Sequence, residues 1–96
     1  MSYWASFEDL VEIVERELAA AEDMYPHLAP KLRRIAELIK RRCEVTYSEE
    51  EAASCLAAIA GFIGVHAGLK EDRIRRLMEM MEPEFREAFG ELLEEY

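Results

Sequence analysis

Residues 52–69 carry no charged side chain, in a chain where 34% of the residues are charged. They read AASCLAAIAGFIGVHAGL from Ala52 to Leu69. Ser48 and Glu51 precede the run in capping-box spacing, and Gly68 with Lys70 follows as a stop signal. A helix that is apolar on every side has to be buried on every side, so the rest of the chain must wrap around it. The expected fold is all-α: a compact single-domain bundle of five helices over residues 1–96, with a central, fully apolar helix at about residues 49–67. Eighteen uncharged residues also reach the length of a membrane span. Ala and Gly dominate the run, however, His66 lies inside it, and no aromatic or basic belt flanks it, so no membrane association is expected.

Ninety-six residues allow one modest core, and a hydrophobic content of 51% argues against disorder. The net charge of −9 excludes a surface that is basic throughout, as a general nucleic-acid binder requires. It suits a soluble protein with a protein partner. Asn and Gln are absent and Thr46 is the only Thr, while Glu and Arg abound. That is the composition expected of a hyperthermophile, which points to a thermophilic, archaeal source. Met1 to Phe7 lacks the basic region of a signal peptide and acidic residues start at Glu8, so a cytoplasmic location is expected.

Helical periodicity places the other four helices. The first runs from about Phe7 to Glu22, capped by Ser6, with Phe7, Leu10, Val11, Val14, Leu18 and Ala21 as its apolar stripe. Tyr25, Pro26 and Pro30 break it. The second runs from about Pro30 to Cys43, with Leu32, Ile35, Ala36, Ile39 and Cys43 inward. The fourth spans about Glu71 to Glu82, with Ile74, Leu77, Met78 and Met81 inward, and Pro83 breaks it. The fifth follows to about Glu95. Its Phe85, Phe89 and Leu92 have the spacing of a groove-binding peptide, but also that of any terminal helix docked on its own core, which is the favoured reading. Within the central helix, Ala57, Gly61, Gly64 and Gly68 form a small-residue track that invites close approach of another helix, inside the fold before any dimer.

Sites of chemistry are few. Cys55 and His66 stand about 16 Å apart along one helix and cannot share a metal. Cys43 and Cys55 lack zinc-site spacing. Two buried thiols are favoured over a disulfide, because Cys43 ends one helix while Cys55 sits nearly two turns into the next. His66 reads as a cap or dipole-complementing residue near its helix C-terminus. No nucleophile elbow, phosphate-binding Gly loop or metal-ligand cluster is visible, so no catalytic, metal or cofactor-binding residue is assigned, no cofactor or small-molecule substrate is expected, and the chain reads as non-enzymatic.

The functional question turns on charge. The first helix is acidic, the second basic through Lys31, Arg33, Arg34, Lys40, Arg41 and Arg42, and the fifth acidic. Arg34, Arg41, Arg73, Arg75 and Arg76 could contact nucleic acid or an acidic partner; alternatively they bridge to the acidic helices. Residues Ile59 to Leu77 loosely resemble a helix-turn-helix. Ala60, Gly64 and Val65 fall where that motif wants a small residue, a turn Gly and an apolar residue, and Ile74, Arg75, Arg76 and Leu77 resemble the middle of a recognition helix. The resemblance implies DNA or RNA binding. It departs from the pattern in a turn, His66 to Asp72, that is several residues too long, and in Glu71 and Asp72, which would face phosphates. The favoured function is a protein–protein interaction module, a small accessory or structural subunit that self-associates or docks on a partner protein through Tyr3, Trp4 and Met80. A nucleic-acid-binding subunit using the second and fourth helices is the alternative.

Overall fold

The computed structural model describes residues 7–96; the expected cap at Ser6 lies outside them. Its five α-helices are α1 (Phe7–Met24), α2 (Ala29–Arg42), α3 (Glu49–Ala67), α4 (Glu71–Met78) and α5 (Pro83–Leu93), and a single 3₁₀ turn, Pro26–Leu28, joins α1 to α2. No strand occurs among the described residues.

The ends of α3 follow from local chemistry. Ser48 is extended and its hydroxyl accepts a hydrogen bond from the Glu51 N–H at 3.0 Å. The Glu51 carboxylate reaches back to accept from the Tyr47 N–H at 3.3 Å, one residue further out than a standard capping box. At the other end Gly68 adopts φ +81°, and the Leu69 N–H donates to the Gly64 carbonyl, closing the last turn. The Tyr96 hydroxyl donates to the Leu69 and Val65 carbonyls, tying the C-terminus to this corner. Burial, and next the nearby Tyr25, raise the Tyr96 phenol pKa above its ordinary value.

α1 packs against both α2 and α3, α2 against α3 and α5, and α4 against α3 and α5. Phe62, Phe85, Phe89, Leu32, Ile35, Ile39, Ile74 and Leu92 make up much of the solvent-free centre. The Phe85, Phe89 and Leu92 stripe of α5 is therefore core, as expected. The small-residue track is used within the fold. A methyl group on Gly61 would come within 3.1 Å of the Phe89 ring, and one on Gly64 within 2.7 Å of Leu69. No helix among the described residues is long and apolar enough to cross a membrane.

Three expectations need correction. α4 ends at Met78 rather than Glu82. The N–H groups of Glu79, Met80 and Met81 bond three residues back, in tight turns that bring Met81 into the core. Pro83 opens α5 and holds Glu82 extended (ψ 156°), and the Glu82 N–H donates to Ser54 Oγ on α3. Cys43 and Cys55 form a disulfide with a Cα–Cα distance of 5.8 Å, not two free thiols. The connection over residues 44–48 folds back so tightly that the second turn of α3 passes the end of α2, which helix position along the chain does not reveal. Finally, α3 is central but not covered on every side: Leu56 is 53% exposed, and Ala60 and Ala67 also face solvent. α1, α2, α4 and α5 pack against it and leave one strip, Ala53, Leu56, Ala60, Ile63 and Ala67, incompletely covered.

Candidate interaction face between α3 and α4

The open strip of α3 borders a groove whose other wall is α4. Ala53, Leu56, Ala57, Ala60, Leu77 and Met80 line a depression of about 300 Å³. It is continuous, through Leu77 and Met80, with a second depression of about 530 Å³ lined also by Leu69, Arg73 and Arg76. Met80 is 58% exposed. The tight turns after α4 explain this placement, because they send Met81 inward and leave Met80 outside. Other large apolar side chains reach solvent at Met24, Val45, Tyr47 and Tyr96, whereas Leu56 and Met80 share a groove.

The basic residues separate into two groups. All six on α2 have acidic partners. Lys31 meets Glu95, Arg33 meets Glu22, and Lys40 meets Glu15 and Glu37. Arg34 donates to Glu91 and lies beside Glu87; the Glu91 hydrogen bond is the main cause of its raised pKa. Arg41 donates to Glu84 at 3.0 Å, and Arg42 bridges Glu82 and Glu84. On α4, Arg75 pairs with Glu71 one turn earlier. Arg73 and Arg76, by contrast, have no acidic partner among the described residues, and both flank the groove. The five arginines singled out from sequence therefore do not form one surface: Arg34 and Arg41 belong to the α2–α5 seam, and Arg75 is paired within its own helix.

Of the three expected interface residues, Met80 lines the groove, while Tyr3 and Trp4 lie outside the described residues. Sequence reasoning missed Leu56. The run around it is apolar on all sides and predicts burial, and only its neighbours in space leave it 53% exposed. The helix-turn-helix register also changes. Gly64 lies inside α3, where Leu69 packs on it, and the turn Gly is Gly68. The connection between α3 and α4 is three residues long, Gly68 to Lys70, rather than the overlong turn expected from His66 to Asp72. His66 does not cap α3. Its Nδ1 faces Glu17 Oε2 on α1 at 2.8 Å, off the line of a hydrogen bond, and both atoms are buried.

Among the described residues, no group of three or more His, Cys, Asp or Glu side chains is placed to hold a metal ion. Comparison of the chain with protein-family models, curated proteins and solved structures gave no match.

Proposed function

We propose that this chain is a non-enzymatic protein–protein interaction module, a small accessory or structural subunit that docks through the groove between α3 and α4. The observation that carries this reading is the pairing of Leu56 and Met80, both more than half exposed, across one apolar groove. Burying a fully exposed Leu or Met side chain contributes roughly 1.5–3 kcal/mol, and about half of each remains exposed here, so covering both would contribute about 1.5–3 kcal/mol together. Unpaired Arg73 and Arg76 at its edge add a charged rim to an apolar centre, the anatomy of a docking surface.

The runner-up is a nucleic-acid-binding subunit. It draws support from the same two arginines and from the three-residue turn before α4. Against it stand the net charge of −9 and the internal pairing of every basic residue on α2.

Site-specific photo-crosslinking tests the docking reading. A benzophenone residue replacing Leu56 is expected to form a discrete protein adduct in the native cell extract, and the same group replacing Glu12 on the exposed side of α1 is not. Absence of any adduct specific to position 56 would overturn the assignment of the groove.

A further inference from the structure

We infer that the occupant of the α3–α4 groove is a second copy of this chain, packed with its α3 antiparallel to the first about a twofold axis near Ala60. This rests on the reading of the groove as a protein-docking face.

The apolar side of the argument is the register of the open strip. Ala53, Leu56, Ala60, Ile63 and Ala67 recur along α3 in alternating steps of three and four, the spacing of a coiled-coil seam. None of the five is fully buried, whereas Cys55, Ala57, Ala58, Ile59, Phe62 and Val65, on the remaining sides of the same helix, are. The alternation of Ala with Leu and Ile lets two such helices approach closely. With the axis at Ala60, Ala53 of one copy lies opposite Ala67 of the other, and Leu56 falls over the stretch between Ala60 and Ala67. Met80, at the edge of the strip, covers the contact from α4.

The charged side of the argument selects the direction. At the start of α3, Glu49 and Glu50 are exposed and have no basic partner among the described residues. Past the far end of α3, about 27 Å along the helix from Glu49, Lys70 and Arg73 are exposed and lack acidic partners among the described residues, and they outnumber their neighbour Asp72. The face thus carries an acidic end and a basic end, in a protein whose α2 leaves no basic residue unpaired. An antiparallel copy centred on Ala60 brings Glu49 and Glu50 of one copy to the end of the face where Lys70 and Arg73 of the other stand, at both ends at once, as a twofold interface requires. A parallel copy would set like charge on like. A foreign acidic helix would satisfy Arg73 and Arg76 but leave Glu49 and Glu50 facing its own charge.

Charge reversal with rescue tests both partner and direction. The wild-type full chain should sediment with the mass of two chains at tens of micromolar. Leu56→Glu should raise the dissociation constant at least tenfold while its helical circular dichroism stays unchanged. The pair Glu49→Lys with Glu50→Lys, and the pair Lys70→Glu with Arg73→Glu, should each weaken self-association tenfold or more, and mixing the two should restore a species with the mass of two chains, one of each kind. If either reversed pair loses helical signal, the neutral pairs Glu49→Gln with Glu50→Gln and Lys70→Gln with Arg73→Gln replace them, each expected to weaken association about threefold or more. A wild type that stays monomeric at several hundred micromolar overturns the proposal, and so does a dimer indifferent to these substitutions, or a mixture no tighter than its components. A monomer that still gives a position-56 adduct with another protein overturns only the second copy and leaves the docking groove standing. Tight, salt-sensitive binding of duplex DNA that Arg73→Glu with Arg76→Glu abolishes would overturn both.

Discussion

The α2–α5 seam and the α3–α4 face have similar ingredients and opposite outcomes. Each joins an apolar helix side to arginines. Along α2 and α5, the apolar stripes meet each other and the arginines meet Glu82, Glu84, Glu87 and Glu91 across the seam. Along α3 and α4, Leu56 and Met80 meet solvent, and Arg73 and Arg76 meet no acid among the described residues. The difference is one of geometry rather than composition. α5 lies on α2 and supplies a glutamate at each step of the seam, whereas α4 stops at Met78, is only two turns long, and covers part of α3. A pattern complete in one region is half-built in the other, and the proposed docking would complete it.

The contrast can be broken hardest in the closed region. Phe89 is solvent-free and touches the space beside Gly61, so Phe89→Ala should cost about 3–5 kcal/mol in chemical denaturation. Leu56→Glu, in the open region, should leave monomer stability within about 0.5 kcal/mol. Comparable losses from the two would show that the strip at Leu56 is core after all.

Reduction of the Cys43–Cys55 disulfide is expected to come next. The bond spans 12 residues of sequence, and opening a loop of that size should remove roughly 3 kcal/mol by chain entropy. The measurement is a thermal melt with and without reductant, alongside Cys43→Ser with Cys55→Ser. Coincident melts would mean that packing alone holds the α2–α3 corner.

Gly64→Leu should destabilise by about 1–3 kcal/mol through overpacking, because Leu69 Cδ2 already lies 2.7 Å from where the first side-chain carbon would sit. The same substitution at Gly90, which has nothing within 4 Å of a methyl group, should not destabilise. Equal melts for Gly64→Leu and wild type would deny the close approach of Leu69 to α3.

The smallest effect separates the arginines. Arg42→Ala removes exposed pairs with Glu82 and Glu84 and should cost about 0.2–1 kcal/mol, falling with added salt. Arg76→Ala should cost the isolated chain nothing measurable, since no acid among the described residues meets it. In fluorescence anisotropy, neither the wild type nor Arg42→Ala is expected to bind duplex DNA tightly at physiological salt, and a steep salt-dependent affinity would favour the nucleic-acid reading.

Much of the architecture was legible from local pattern. The cap at Ser48 and Glu51, the stop at Gly68, and the inward stripes of α2 and α5 depend on residues within a few positions of one another, and their consequences are set by helix periodicity. The close packing at Gly61 and Gly64 was also visible, since a glycine inside an apolar helix leaves room for a neighbour. Other features depended on which segments come together. Cys43 and Cys55 bond because a short connection doubles back. α4 ends early because Met81 is drawn into the core ahead of Pro83. Arg34, Arg41 and Arg42 of α2 are neutralised because α5 and the residue before it lie beside them, and Arg33 because the end of α1 does. Leu56 is the sharpest case: its surroundings in sequence are those of a buried residue, and it is exposed because the two-turn α4 covers only part of α3 beside it. Periodicity states which sides of a helix seek burial. Whether the chain has enough surface to bury all of them is settled only when the helices are packed.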